Sequence, residues 1–359
     1  MNWPDWLPLK SNLKTLSPYG APQVPAKIRI NTNENPNGPS PEIAIQIAAR
    51  IKEIAANLNR YPDRDAIALR NKLADYLGNN LTQENIWAAN GSNEILQSIF
   101  LAFGSGSALG FTPSYSMHPL IANVVGVNWI NGERRDDFTL DTELVIAEIA
   151  KVRPTLVFIT TPNNPTGDSV SISNLEKIAA AAKQVDALLV VDEAYAEFSD
   201  EPSAVTLIAK YPNILVSRTM SKAFAFAGVR LGYLAADSIV IDALQLVRLP
   251  YHLGSLTQAA AEVALDFKSE LLATVAEIIN QRKLVANELE ALGLNVLPSS
   301  ANFLLFGGFN ANAKIVWEKL LNAGVLIRDV GLPGYLRVTI GTAAENKDFL
   351  NTLKVVLKS

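Results

Sequence analysis

The middle of the chain alternates short β-prone apolar runs with helical stretches, and this alternation constrains the fold more than any other feature of the sequence. Segments such as SNLEKIAAAAKQV repeat apolar residues at helical spacing. The clearest strands are SALGF, TLVFITT, ALLVVDEAY, NILVSRT and RLGYLAA. Strands that alternate with helices form a mostly parallel sheet covered on both faces. The sequence therefore predicts an α/β domain.

The sequence on either side of this region predicts an N-terminal arm and a second domain. A chain of 359 residues exceeds a single typical hydrophobic core, so a second domain is expected. The first 40 residues are rich in Pro, Asn and Gly, which indicates an extended, turn-laden arm. From Pro41, the segment PEIAIQIAARIKEIAAN repeats apolar residues at helical spacing and predicts a helix that begins at Pro41. After about Asp237, one long helix from roughly Leu256 to Leu289 precedes short strands such as NFLLF and YLRVTI. We predict an arm over 1–40 that packs with the small domain, a large α/β domain over 41–240 and a smaller α+β domain over 241–359.

Composition narrows the class of partner. A net charge of −4 and a pI near 5.4 argue against a nucleic-acid or anionic-membrane surface, so the partner is expected to be a small molecule. The absence of cysteine excludes disulfides and thiolate sites and favours a reducing compartment, with the cytoplasm as the expectation. The start MNWPDWLPLK lacks a signal-peptide profile. His118 and His252 are too far apart in sequence to suggest a metal site.

Lys222 is the first candidate for chemistry. It follows the strand NILVSRT, at the carboxyl end of a strand where ligands of α/β sheets collect. The hydroxyls of Thr219 and Ser221 and the guanidinium groups of Arg218 and Arg230 are close in sequence. Burial and neighbouring cations would lower its pKa and give the neutral amine that forms an imine. An ordinary surface lysine is the alternative.

Two further strands end in polar groups. Asp192 ends ALLVVDEAY, where a carboxylate could pair with a protonated pyridine nitrogen. A Walker-B aspartate is the alternative, but the chain has no G-x-x-x-x-G-K-[ST] loop. TPNNPTG closes another strand, and its Asn164 amide could reach a ring oxygen, although taken alone an Asn-Pro motif is more often a simple turn.

Two further groups of residues are candidates for binding anions. ANGSNEILQSIF opens a helix with Ser92 or Asn93 as N-cap, and free N–H groups there could bind a phosphate or merely be capped. Arg230 would complete this phosphate cup. Arg328 and Arg337 lie in the C-terminal strands GVLIRD and YLRVTIGT, where a substrate-anion role and a structural role are both open.

Taken together, the motifs resemble the fold-type-I, class-II pyridoxal-phosphate aminotransferases from Asn33 to Gly341. They are NENPNGPSP, NRYPD, ANGSNE, FTPSYSMH, TPNNPTG, VVDEAY, SRTMSKAFAFAGVRLGY and GVLIRDVGLPGYLRVTIGT. Their order and spacing are most similar to those of family members that act on histidinol phosphate. The resemblance implies pyridoxal 5'-phosphate as cofactor and a large sheet domain with a smaller α+β domain.

The resemblance also implies roles at the cofactor. Lys222 would hold the cofactor as a Schiff base and, once released, shuttle a proton between the substrate Cα and the cofactor C4′. Asp192 would pair with the pyridine nitrogen, Asn164 and Tyr195 would contact the ring hydroxyl, and Tyr115 would stack on the ring. The implied phosphate site consists of Ser92, Asn93, Thr219, Ser221 and Arg230.

At the substrate, the resemblance implies that Arg337 grips the carboxylate, with Tyr19 and Arg328 near the phosphate or side chain. Tyr61 would reach the cofactor phosphate of a neighbouring subunit, so a homodimer with shared active sites is implied. The reaction would be ping-pong transfer between glutamate/2-oxoglutarate and histidinol phosphate/imidazole acetol phosphate in histidine biosynthesis.

Three alternatives stay open at this point: an aromatic amino acid aminotransferase, a lyase like threonine-phosphate decarboxylase, and a non-enzymatic cofactor-binding regulator. The regulator would need a basic DNA-binding domain, for which the first 40 residues leave too little room. His118 stands where many relatives carry an aromatic residue, and we expect this departure to affect the choice of substrate and not the core chemistry.

Overall fold

The computed structural model describes residues 3–18 and 20–358. Its strands, in chain order, are β1 (Ile28–Arg29), β2 (Ile86–Ala89), β3 (Ser107–Thr112), β4 (Asn128–Glu133), β5 (Leu156–Thr160), β6 (Leu188–Asp192), β7 (Ile214–Thr219), β8 (Gly232–Ala236), β9 (Asn295–Val296), β10 (Phe303–Gly307), β11 (Val325–Leu326) and β12 (Tyr335–Thr339). Its α-helices are α1 (Pro41–Ala55), α2 (Ile67–Leu77), α3 (Ser92–Phe103), α4 (Met117–Val125), α5 (Thr142–Val152), α6 (Ile172–Gln184), α7 (Ser238–Gln245), α8 (Ser255–Asp266), α9 (Lys268–Ala291), α10 (Ala313–Asn322) and α11 (Ala343–Val356).

A seven-stranded sheet organises the first two thirds of the molecule. The strand order is β2-β8-β7-β6-β5-β3-β4, and every neighbouring pair is parallel except those that involve β8. Every residue of β5 and β7 is buried, as expected for strands covered on both faces. The predicted α/β fold is confirmed, and each of the five strands predicted from sequence coincides with an observed strand.

A smaller sheet lies in the C-terminal part. Strands β12, β10 and β9 form an antiparallel sheet of three strands; α9 and α10 pack on it, and α11 packs on these two helices. The short β1 pairs in parallel with β11, so residues near 28 are attached to residues near 325. This pairing places the end of the N-terminal arm beside the C-terminal part. The exact domain boundaries at residues 40 and 240 stay a prediction.

Helix boundaries follow capping chemistry in one case and tertiary packing in another. The predicted start at Pro41 is confirmed, because the Ser40 hydroxyl accepts a hydrogen bond from the Ile43 N–H. The single helix predicted over 256–289 is wrong, since α8 and α9 meet at Phe267. No Pro or Gly marks this break. Instead, α8 packs on α1 and α2 while α9 packs on α11 and the small sheet, so the two must diverge.

In the described ranges, no helix combines the length and the apolar character needed to cross a bilayer.

Candidate active site

A cavity of about 370 Å³ lies where β5, β6 and β7 end. Of the thirteen predicted site residues that the structure describes, twelve line it. We divide these residues into three parts. The phosphate end consists of Ser92, Asn93, Thr219, Ser221 and Arg230, the central region of Tyr115, Asn164, Asp192, Tyr195 and Lys222, and the substrate end of Arg328 and Arg337. This position agrees with the general placement of ligands beyond the carboxyl ends of parallel strands.

The phosphate end is built from the start of α3 and the turn after β7. Gly91, with φ of +84°, is the N-cap of α3, so the prediction that Ser92 or Asn93 caps the helix is wrong. Ser92 and Asn93 instead begin the helix and line the cavity. The first N–H groups of a helix have no intrahelical acceptor, which makes this an anion site. A Cβ at Gly91 would lie 2.5 Å from Arg230 Nη2, so the glycine makes room for the guanidinium.

Two hydroxyls complete this end. The Ser221 N–H donates to Thr219 Oγ1 over 3.1 Å, and the two side-chain oxygens are 3.0 Å apart. Arg230 Nη1 donates to Ser221 Oγ over 3.4 Å. The arrangement offers a helix N-terminus, two hydroxyls and one guanidinium to a single anion, which matches the needs of a phosphate group.

Asp192 ends β6 in the centre of the cavity and is 2% exposed. Its Oδ2 lies 3.0 Å from His118 Nε2. Its Oδ1 is buried and has no hydrogen-bond partner within residues 3–18 and 20–358. A buried carboxylate oxygen is costly without a donor. The geometry therefore fits a bound group with a protonated ring nitrogen.

His118 was missed as a contributor to the core chemistry. We expected its departure from the family pattern to affect only the substrate, but its ring contacts Asp192 directly. It is buried on α4, and its ring lies edge-on to Tyr115 with centroids 5.4 Å apart. A local signal was its position three residues after Tyr115, which the family resemblance assigns to the cofactor ring.

Tyr195 and Asn164 meet beside this carboxylate. Asn164 Nδ2 lies 3.5 Å from the Tyr195 hydroxyl, and Asn164 Oδ1 accepts from Arg337 Nη1 over 2.5 Å. Asn33 Nδ2 donates to the same hydroxyl over 2.9 Å. Asn33 and Glu34 line the cavity but received no role from sequence, although both lie in the motif NENPNGPSP.

Lys222 projects into the cavity from the turn after β7. Its Nζ donates to the Thr32 carbonyl over 2.9 Å. Burial lowers the pKa of Lys222 to about 8, and the positive charges of Arg337 and Arg230 act in the same direction. About one tenth of an amine with this pKa is neutral at about pH 7, against fewer than about one in a thousand for an ordinary lysine, and the neutral form is the one that attacks a carbonyl.

Arg218 does not act on Lys222 as predicted. Its guanidinium is buried between Glu193, at 2.8 Å, and Glu197, at 2.7 Å. The two carboxylates raise the pKa of Arg218 against the opposing effect of its burial. The two acidic residues of the Walker-B-like motif therefore lie in different places: Asp192 lines the cavity, and Glu193 pairs with Arg218.

The substrate end combines residues that are distant in sequence. Arg337, in β12, donates from Nη2 to the Asn31 carbonyl over 2.9 Å and lies 5.2 Å over the Phe303 ring. The backbones of Arg328 and Arg337 pair through two hydrogen bonds of 2.9 Å. Both arginines line the cavity with Tyr195. The site therefore offers two guanidinium groups to an anionic substrate.

One predicted residue lies away from this cavity, and another is outside the described residues. Tyr61 is 79% exposed and stacks on Tyr251 with ring centroids 4.3 Å apart. Its implied role at the cofactor phosphate of a neighbouring subunit stays a prediction. Tyr19 lies outside the described residues.

The sequence profile of the family described as aminotransferase class I and II matches residues 25–353. The chain belongs to this family. Pyridoxal phosphate carries a phosphate, a ring nitrogen, a ring hydroxyl and an aldehyde, and the cavity of this family member presents a matching group to each. The observation that fits the ring nitrogen is Asp192 Oδ1, which has no hydrogen-bond partner in the part of the chain that the structure describes.

Relatives of known name agree with this assignment. The chain is 55% identical to histidinol-phosphate aminotransferase from Mycobacterium sp. (strain JLS), over 96% of this chain and 92% of that protein. It is also 55% identical to the enzyme of the same name from Nocardia farcinica (strain IFM 10152), over 98% and 92%. The solved histidinol-phosphate aminotransferase of Sinorhizobium meliloti, in complex with pyridoxal-5'-phosphate, superposes with a TM-score of 0.85 at 26% identity and covers 98% of each chain.

Proposed function

We propose that the chain is a pyridoxal-phosphate-dependent aminotransferase that moves an amino group between histidinol phosphate and 2-oxoglutarate in histidine biosynthesis. The observation that carries the proposal is one cavity that holds a lysine with pKa lowered to about 8, a buried carboxylate oxygen without a hydrogen-bond partner among the described residues, and two arginines at the opposite end. The 55% identity to proteins named for this activity supports the choice of substrate.

The cofactor, when bound, supplies an aldehyde for the amine and a ring that withdraws electrons from the substrate Cα. Asp192 would hold the protonated ring nitrogen through Oδ1, and His118 would orient that carboxylate through Oδ2. Ser92, Asn93, Thr219, Ser221 and Arg230 would bind the phosphate. Tyr115 would pack on the ring, and Asn164 and Tyr195 would bind its hydroxyl.

Lys222 would have two functions in sequence. Its neutral Nζ would hold the cofactor covalently. Once the substrate amine has taken that place, the released Nζ would accept the proton from the substrate Cα and would return it to the cofactor C4′, the carbon on the other side of the substrate nitrogen. A general base is most effective when its pKa is near the working pH, and a pKa of about 8 meets that condition.

The two arginines would accommodate two different anions in turn. We propose that Arg337 binds the α-carboxylate of glutamate and that Arg328 binds the phosphate of histidinol phosphate. A guanidinium fork accepts either group through paired N–H bonds. The same cavity can therefore bind the amino donor and the acceptor alternately, as ping-pong transfer requires.

The proposed enzyme is a homodimer in which Tyr61 serves the partner's cofactor phosphate. Residues 58–65 and 246–251 form one surface, joined by the Tyr61 and Tyr251 stack and by an Arg248 to Asp65 ion pair of 2.7 Å. Leu246 and Leu249 on this surface are 85% and 74% exposed. Large exposed apolar groups of this kind suit an interface between copies. Sedimentation analysis should find two chains per particle.

We also propose a cytoplasmic location, because the sequence contains no cysteine and so fits a reducing compartment.

Half-reactions test the proposal. The cofactor-loaded protein is mixed separately with histidinol phosphate, phenylalanine, tyrosine and threonine phosphate while the visible absorbance of the bound cofactor is followed. We expect the fastest loss with histidinol phosphate and full recovery on addition of 2-oxoglutarate. A faster reaction with phenylalanine or tyrosine would overturn the substrate assignment. Carbon dioxide release from threonine phosphate without amino transfer would instead show a lyase.

A further inference from the structure

Asn33 is a buried residue beside the cavity that the roles above do not use. It is 1% exposed and has a left-handed backbone, with φ of +56°. Asparagine is one of the few residues other than glycine that tolerates this region. A buried polar side chain in a demanding conformation needs a full set of partners, and those partners show what it does.

The hydrogen bonds of Asn33 have a defined direction. The Asn33 N–H donates to Thr339 Oγ1 over 2.9 Å, and the Thr339 hydroxyl in turn donates to Asn33 Oδ1 over 2.9 Å. This leaves Nδ2, a donor only, facing the Tyr195 hydroxyl at 2.9 Å. The amide orientation therefore satisfies both hydrogen-bonding groups of Thr339 and makes Tyr195 an acceptor.

A second amide points to the same assignment. Arg337 can only donate, so the oxygen of Asn164 must face Arg337 and its Nδ2 must face Tyr195. At 3.5 Å this second contact is at the outer limit of a hydrogen bond, so Asn33 is the stronger partner. A phenol oxygen that accepts from these amides has to direct its single hydrogen to another acceptor.

We propose that Asn33 is a positioning residue that holds the Tyr195 oxygen as an acceptor and so directs the Tyr195 O–H into the cavity, toward the ring oxygen of the bound cofactor. This inference rests on the proposed function, which supplies the ring oxygen. Asn33 also ties the site to β12, the strand of Arg337, because its side chain binds Thr339, and its carbonyl accepts from Asn302, the residue before β10. The residue thus links the substrate-binding strand to the group that polarises the ring.

The test replaces Asn33 with aspartate, which has the same shape and tolerates the left-handed backbone but cannot donate. The new carboxylate would take the Tyr195 hydrogen for itself. An O–H given to the ring oxygen stabilises its deprotonated form, so losing it makes that oxygen more basic. We expect the pH midpoint of the bound cofactor's visible absorbance, measured without substrate, to rise by about one unit in Asn33→Asp.

A double-mutant comparison separates positioning from the effect of added charge. Tyr195→Phe should raise the midpoint by itself, and adding Asn33→Asp to Tyr195→Phe should cause no further shift. An equal shift in both backgrounds, or no shift in the parent background, would overturn the inference.

Two controls keep the result interpretable. Asn33→Gly suits the backbone and lacks the amide without adding charge, so it should shift the midpoint in the same direction. Asn35→Asp adds a carboxylate nearby, at a residue that bonds Ala223 and Thr274 and not Tyr195, and should leave the midpoint unchanged. The titration needs bound cofactor but no turnover. If the parent protein transfers amino groups normally but Asn33→Asp shifts the midpoint equally in the parent and in Tyr195→Phe, the positioning role of Asn33 is contradicted and the proposed function is not.

Discussion

The phosphate end and the substrate end of the cavity are assembled in different ways. The phosphate end uses the turns that adjoin β2, β7 and β8, three strands that are neighbours in the sheet. The substrate end joins the loop over 31–34, the turn at Asn164 and the strand pairing of Arg328 with Arg337. A rigid sheet thus fixes the first end, whereas the second depends on contacts between segments far apart in sequence. Variants at the two ends should consequently have separable effects.

The largest effect is expected at Lys222, which serves both ends. Lys222→Ala removes the covalent anchor and the base for the Cα proton. We expect turnover to fall by roughly 10⁴-fold or more and the visible absorbance of the anchored cofactor to be lost. Steady-state kinetics and a spectrum of the same sample check both. Near-parent turnover in this variant would contradict the proposed mechanism.

Arg337→Gln acts mainly at the substrate end. The glutamine keeps a polar group for Asn164 but loses the charge and the fork. We expect kcat/KM for glutamate to fall by about 100-fold, which corresponds to about 3 kcal/mol, while affinity for the cofactor stays within about twofold. Equilibrium titration with pyridoxal phosphate provides the second reading. Arg328→Gln is the matched variant and should instead affect histidinol phosphate more than glutamate.

A smaller effect is expected from pH. Because the pKa of Lys222 is lowered to about 8, its neutral fraction should rise about tenfold between about pH 7 and about pH 9 and then level off. The rate at which the cofactor-free protein captures pyridoxal phosphate should follow this curve in stopped-flow absorbance. A rate that continues to rise tenfold per pH unit up to about pH 10 would show an ordinary lysine pKa.

Gly91→Ala should give the smallest effect, confined to the phosphate end. The added Cβ would lie 2.5 Å from Arg230 Nη2 on a backbone with φ of +84°. The guanidinium has to move aside, so we expect the affinity for pyridoxal phosphate to fall about fivefold, or about 1 kcal/mol. The KM for histidinol phosphate should not change. Gly126→Ala, with φ of +91° in open space, controls for the backbone strain.

The same contrast explains how far the sequence could predict the site. Strand ends that carry Asp192 and Lys222 are local patterns, so the fold and the residues of the phosphate end could be predicted from spacing and from the family resemblance. The N-cap role of Gly91 could not be predicted, because serine and asparagine are preferred N-cap residues and Ser92 and Asn93 follow it directly.

Long-range contacts account for the other differences. Asn33 reaches Tyr195 across 162 residues of sequence, and His118 reaches Asp192 across 74. Neither pairing has a local pattern. The break at Phe267 is similar, since α8 and α9 diverge to reach different partners without any helix-breaking residue in the sequence.

The most direct test of the account locates the cofactor on the chain. The loaded protein is reduced with borohydride, which converts the link between lysine and cofactor into a stable amine, and is then digested and mapped by mass spectrometry. We predict one modified lysine, Lys222, at close to one cofactor per chain, and no modification in Lys222→Ala. Modification of a different lysine, or none in a protein that still transfers amino groups, would contradict the assignment of Lys222 as the anchor.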